Sequence, residues 1–284
     1  LDGTLQLRAV PYTSKVTEEE FRDLGIRGKT EIYELSFRQP LTRSLTKEFA
    51  LSLGLTFQDG QTFVDDDNPA DFGLGTDDDG FSRTRVLKFG QDYISRDPHG
   101  TWALRSQFNL GLDIFNATRN SGSIPDGSFF SFSGQVQRSQ LLGNDYALIL
   151  QGNLQLSPDP LLPSQQFFIG GGQSLRGYRQ NVRAADNGFL FSVEGRIPLD
   201  RNKFGSPVLQ LAPFIDMGAV WNTGSNPDSL PDQNFLASAG LGILWQPSPS
   251  LGLRLDWGIP FVSLSDRRDS LQDNGIHFSI NYSP

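Results

Sequence analysis

The chain is 284 residues long, carries a net charge of −8, and contains two histidines and no cysteine. The lack of cysteine rules out disulfides, thiolate-bound zinc, iron–sulfur clusters and thiol nucleophiles, and the acidic balance gives no support for a nucleic-acid-binding surface. No stretch approaches the ~18 consecutive apolar residues of a membrane helix, while 30 glycines and 22 phenylalanines against one methionine point to β structure.

The dominant hydrophobic period is 2 rather than 3.6. In chain order it predicts about twelve strands, at 3–12, 30–39, 45–58, 82–94, 101–115, 128–139, 145–157, 187–197, 207–222, 234–245, 250–260 and 273–283. In 45–58, Phe49, Leu51, Leu53, Leu55 and Phe57 alternate with Glu48, Ser52, Thr56 and Gln58. In 101–115, Trp102, Leu104, Phe108 and Leu110 oppose Arg105, Gln107, Asn109 and Asp113. In the last segment Phe278, Ile280 and Tyr282 oppose His277, Ser279 and Asn281. The segment 82–94 is the least regular, because Arg83, Arg85 and Lys88 do not share a face.

Each segment is about the ~10 residues that a tilted strand needs to cross a bilayer. Connections alternate in length: short at 40–44, 95–100, 141–144, 199–206 and 246–250, long at 13–29, 59–81, 116–127, 158–186, 223–233 and 261–272. Transmembrane barrels have this asymmetry, with short turns at one end and long loops at the other. A soluble sandwich needs far less strand length and does not sort its loops by end. The expected fold is an all-β, antiparallel transmembrane β-barrel occupying 1–284, with apolar faces toward lipid. Its lumen would carry Glu48, Arg105, Asp113, Gln151, Glu194, Arg196, Asp216, Arg254 and Asp256. Trp102, Trp221, Trp245, Trp257, Tyr33 and Tyr146 are expected near strand ends, where aromatic girdles sit.

Signals for catalysis are poor. Gly172-Gln173-Ser174-Leu175-Arg176 lacks the final glycine of a nucleophile elbow, and neither His99, in a short turn, nor His277, in the last strand, is spaced to meet a serine. The connection 59–80 holds Asp59, Asp65, Asp66, Asp67, Asp71, Asp77, Asp78 and Asp79 without Lys or Arg. Its spacing matches no EF-hand loop, and a solvated acidic loop is the favoured reading over bound calcium or divalent-bridged lipopolysaccharide. No catalytic site, metal or cofactor is expected.

The longest connection, 158–186, is stiffened by Pro158, Pro160 and Pro163 and holds Phe168-Ile169-Gly170-Gly171-Gly172-Gln173-Ser174-Leu175-Arg176-Gly177-Tyr178. Glycines allow tight turns and close backbone approach, and a long loop of this kind is functional or disordered. If it folds inward, Arg176 can grip a lumen carboxylate with its planar fork. Two carboxylates on following strands fall on polar faces: Glu194, in Glu194-Gly195-Arg196-Ile197-Pro198, and Asp216, in Phe214-Ile215-Asp216-Met217-Gly218.

Together, Phe-x-x-Gly-Gly-x-Ser-Leu-Arg-Gly-Tyr, Glu-x-Arg-x-Pro and Phe-x-Asp-x-Gly resemble the polypeptide-transporting outer-membrane β-barrel superfamily that includes BamA. The run 155–163 is most like its two-partner-secretion branch (TpsB, of the hemolysin-activator type). The resemblance implies a sixteen-strand barrel with an Arg-Gly-Phe/Tyr tip on the loop between strands 11 and 12. Five predicted strands follow the loop here, so about twelve of sixteen are visible and 1–284 would be the C-terminal part, without the soluble POTRA domains that precede such barrels. It also implies that the motif Gly171, Gly172, Ser174, Leu175, Arg176, Gly177 and Tyr178 docks in the lumen. Asp216 is its sharper partner; Glu194, Arg196, Phe214 and Gly218 lie nearby, and Glu194 can instead pair with Arg196 or another arginine. The implied function is a non-enzymatic pore secreting a partner polypeptide across a bacterial outer membrane, with both termini in the periplasm. Lipid and lipopolysaccharide would surround it, and nucleic acid would not bind. A BamA-like assembly factor and a passive porin are the alternatives.

Overall fold

The computed structural model describes residues 2–15, 24–65, 68–71 and 73–283. Asp66 and Asp67 of the acidic connection lie outside them. The described residues form a thirteen-stranded antiparallel sheet and a separate two-stranded one. The large sheet runs β1 (Thr4–Lys15), β2 (Arg27–Arg43), β3 (Lys47–Val64), β5 (Phe81–Asp97), β6 (Gly100–Gly111), β7 (Phe130–Gly143), β8 (Tyr146–Leu156), β11 (Asn187–Arg201), β12 (Pro207–Trp221), β13 (Phe235–Ser248), β14 (Leu251–Pro260) and β15 (Ile276–Tyr282), each strand paired with its neighbours in sequence. The short β4 (Asn68–Pro69) adds to β3, and β9 (Phe167–Ile169) pairs with β10 (Arg183–Ala185) inside the long loop. All twelve expected strands are present.

Alternation sets the faces. On β11 to β15 the outward set includes Phe191, Ile215, Leu241, Trp257 and Phe278, all exposed, whereas Glu194, Asp216, Ser238, Asp256 and His277 of the opposite parity are buried. A one-residue slip in any strand would put its charges on the outward apolar face, so the pattern also fixes register. The sheet curls strongly, since Gln137 of β7 and Asn281 of β15 line one cavity. It does not close: β1 and β15 are its two edges and do not pair with each other.

Local chemistry explains the turns. Asn144 and Asp145, both at positive φ (50° and 60°), make the tight connection between β7 and β8 that right-handed strand twist favours. Between β5 and β6 the Asp97 carboxylate accepts the His99 N–H at 2.8 Å. Trp102, Tyr146 and Trp245 lie toward the short-turn end, and Trp221 and Trp257 toward the long-loop end. Tyr33 departs from that expectation and sits well inside β2.

Some strand limits differ from the sequence reading. β2 begins before 30 and β3 runs well past 58, because Arg27↔Phe63 to Gln39↔Leu51 pair without interruption, and β2 continues past 39 across an irregularity between Pro40 and Thr42 to Arg43↔Glu48. Asp59 thus belongs to β3 rather than to a loop, and it pairs with Arg85 at 2.5 Å. Arg83 likewise reaches Asp77 at 3.3 Å, so the acidic connection is partly neutralised by the following strand. β6 ends at Gly111, and the chain turns at Phe115 and Asn116, which adopt positive φ (48° and 57°). Asp113 is therefore a loop residue paired with Arg119, not a lumen residue.

Candidate functional site

The connection between β8 and β11 is anchored at its base. Asn187 Oδ1 accepts the Ser157 N–H at 2.7 Å, and the Asp186 carboxylate accepts N–H groups from Leu161 and Thr223. The β9–β10 pair forms a short stem, after which Gly170 and Gly171 take φ of 108° and 100°, values that side-chain-bearing residues rarely adopt. Beyond the stem, Ser174 Oγ donates to the Gly170 carbonyl at 2.8 Å and the Gly171 N–H is shared by the Leu175 and Tyr178 carbonyls, each at 3.1 Å. Leu175 is fully buried in a cluster with Ile169, Tyr178, Val182, Leu190, Val220 and Leu236. A leucine so placed contributes about 1.5–3 kcal/mol of burial, which draws the tip inward.

The tip presents Arg176 to the lumen faces of β11, β12 and β14. Its Nε and Nη2 donate to the two oxygens of Asp216 at 2.7 and 2.8 Å, and its backbone N–H donates to Asp216 Oδ2 at 3.1 Å. Nη1 donates to Glu194 at 2.6 Å and lies 3.5 Å from Asp256. Nη2 also reaches Ser192 Oγ at 3.2 Å, and that hydroxyl donates to Asp216 at 2.7 Å. The guanidinium carbon stands 3.5 Å from the Phe214 ring centroid, a cation–π distance. Ser238 Oγ donates to the Arg176 carbonyl at 2.5 Å.

Around it the charges balance. Arg254 donates to Glu194 at 2.6 Å and to both oxygens of Asp256, and Arg196 donates to Glu194 at 3.1 Å. Three arginines thus face three carboxylates. The side chains of Arg176, Asp216 and Asp256 are 6%, 0% and 4% exposed, so each charge depends on its neighbours rather than on water.

Close backbone approach makes room for the tip. A Cβ on Gly258 would lie 2.6 Å from the Gly177 nitrogen, and Gly177 itself has φ of 91°. The Gly177 N–H points at His277 Nε2 of β15, 3.3 Å away. Tyr178 carries the contact up to the rim, its hydroxyl donating toward the Ala237 carbonyl at 2.8 Å and accepting the Val262 N–H at 3.1 Å. At the mouth, Asp266 of the connection between β14 and β15 pairs with Arg179 and Arg183 of the β8–β11 loop, each at 3.0 Å. The hydrogen bonds from Arg183 hold the Asp266 carboxyl below the usual carboxylate range.

The structure brings Arg176, Asp216, Glu194, Arg196 and Phe214 into one cluster, with Gly218 packed against Leu175. Gly171, Gly172 and Ser174 shape the turn, and a Cβ on Gly172 would meet the His277 ring. Sequence reasoning missed Asp256, Arg254, Ser192 and Ser238 as members of the cluster. Strand parity puts them in the lumen, but only the curl of the sheet brings β14 beside the loop. Among the described residues no group of three or more His, Asp or Glu is placed to hold a metal ion.

Against known proteins, residues 4–244 match the family described as haemolysin secretion/activation protein ShlB/FhaC/HecB. The chain belongs to this family. Its fold is similar to CdiB from Acinetobacter baumannii (TM-score 0.73, 18% identity, 99% of this chain and 47% of that one). CdiB from Escherichia coli is similar too (TM-score 0.72, 18% identity, 98% and 49%), as is BamA from Haemophilus ducreyi (TM-score 0.59, 17% identity, 98% and 61%). The chain spans about half the length of the CdiB structures. No curated protein is detectably similar to it in sequence.

Proposed function

We propose that this chain is the barrel portion of an outer-membrane pore that secretes a partner polypeptide by two-partner secretion, with the β8–β11 loop as a plug latched through Arg176. The observation that carries the reading is the fully engaged Arg176 inside the lumen of a haemolysin secretion/activation chain. A buried ion pair adds little net stability, yet losing one partner strands a charge at a cost of several kcal/mol. Such a contact suits a two-position element better than a permanent brace. No bond-making chemistry is needed: the plug leaves, the polypeptide passes, the plug returns.

Residues 1–284 are read as the last twelve strands of a sixteen-strand barrel preceded by soluble domains. The half-length coverage of the CdiB structures supports this. The termini of β1 and β15, both at the short-turn end, then face the periplasm, and lipid and lipopolysaccharide contact the outward apolar faces.

The test is secretion by the full-length protein of the polypeptide it exports. Arg176→Ala and Asp216→Ala should each impair export while the strand content persists by circular dichroism. Normal export by both variants removes the latch from the mechanism. An assembly-factor role remains the second reading, because the BamA fold is also similar. It requires other barrels to disappear from the outer membrane when this protein is depleted. A passive porin does not account for a lumen occupied by an ion-paired loop.

A further inference from the structure

Between the charged clusters of the lumen lies a neutral stripe. On β7 and β8 the register pairs Gln135 with Asn153 and Gln137 with Gln151, giving four side-chain amides in a two-by-two array. Among the described residues none of these four amides is hydrogen-bonded to another side chain or to the backbone. They line two adjoining cavities of about 270 and 380 Å³, both bordered by Gln137 and Gln151. The smaller cavity extends to Ser174 and Arg176 at the plug tip. One step further along the column, Gln155 faces Ser133 and is already committed, donating to the carbonyls of Gln165 and Asp186 in the plug loop. The array therefore occupies the middle of β7 and β8, one step below the underside of the loop, and opens into both cavities.

A side-chain amide offers one acceptor and two donors, which together satisfy the donor and acceptor of a peptide group. Successive residues on one face of a strand are about 6.7 Å apart, which is also the repeat of an extended chain lying alongside. Each pair of amides thus meets the backbone of a passing extended polypeptide at the same phase. Being uncharged, the stripe does not hold acidic or basic side chains as the flanking clusters would. We propose that the Gln135–Asn153 and Gln137–Gln151 pairs form a track that hydrogen-bonds the main chain of an extended polypeptide, independent of its sequence, and delivers it beneath the plug. The track rests on the translocation reading above.

The absence of native cysteine makes the test clean. Gln137→Cys, Gln151→Cys and, as an off-track lumen position on β12, Gln210→Cys are made separately in the full-length protein and reconstituted in liposomes, with and without Arg176→Ala to release the plug. The probe is a flexible Gly/Ser peptide of about 40 residues with one thiopyridyl-activated cysteine at its middle. Thiolate attack forms the barrel–peptide disulfide and expels thiopyridone. Adduct at 137 and 151 should exceed that at 210 by about five-fold, the preference that one or two net hydrogen bonds supply. Adding Gln135→Leu with Asn153→Leu should bring 137 down to the level of 210. Equal yields at all three positions, or no effect of the leucines, overturn the track while leaving a lumen that admits polypeptide. No adduct at any position, even with the plug released, overturns the translocation reading and the track with it.

Discussion

Arg176→Ala distributes its damage unevenly, and that unevenness can be measured. Glu194 would keep Arg254 at 2.6 Å and Arg196 at 3.1 Å, and Asp256 would keep Arg254 at 2.6 Å. Asp216, with a fully buried side chain, would keep only Ser192 Oγ at 2.7 Å and the residue-176 N–H at 3.1 Å. The penalty therefore falls on Asp216, and stranding one buried charge costs about 3–5 kcal/mol. At 1.4 kcal/mol per decade, opening of the loop should rise about 10²- to 4 × 10³-fold, capped by complete release, which rehydrates the carboxylate. Asp216→Ala should cost less, since Arg176 retains Glu194 at 2.6 Å and Asp256 at 3.5 Å. The double variant removes both charges and should be milder than the sum of the singles by at least about 2 kcal/mol, as expected for directly coupled groups. Hydrogen exchange of the amides of 173–178 reads this opening free energy directly. Additive single and double effects, or unchanged protection in Arg176→Ala, would refute the reasoning.

Two further outcomes follow from the packing of the same loop. Gly258→Val introduces a Cβ only 2.6 Å from the Gly177 nitrogen, so the tip should lose its seat while the β13–β14 pairing remains; trypsin cutting at Arg176 and Arg179 in folded barrels reports this, and a resistant loop contradicts it. At the mouth, Asp266 is held below its usual range chiefly by Arg183, so its contribution is complete above about pH 4 and fades as the pH falls through the lowered folded value. A spin label at Asn181→Cys should become mobile in that acidic window, and Asp266→Asn should abolish the pH dependence. A label equally mobile at neutral pH in the parent protein would deny the contact any holding role.

Alternation alone made the strands legible, because each has lipid on one side and a polar lumen on the other. Extents were less legible where loops interfere: β6 stops at Gly111, short of the turn at Phe115 and Asn116, and no periodicity announces that. The three-residue strands β9 and β10 are too short to show a period. At the site, the parity of β11 and β12 named Glu194 and Asp216 as lumen carboxylates. The proximity of Asp256 and Arg254 to the tip arises from sheet curvature, a property of all the strands together. Gly258 gave no local signal, since its role is to lack a side chain beneath Gly177.

The two open edges of the sheet bear on how the β8–β11 loop behaves. A strand edge facing hydrocarbon leaves backbone N–H and C=O groups unpaired, at several kcal/mol each, so any strand that pairs with β1 or β15 gains that energy. β15 is also the strand whose His277 receives the Gly177 N–H. Any partner that straightens or shifts β15 on pairing would change the seat of the Gly177 tip, and a seated tip would in turn favour one position of β15. By thermodynamic reciprocity, pairing at the β15 edge and seating of the β8–β11 loop would share a single coupling energy.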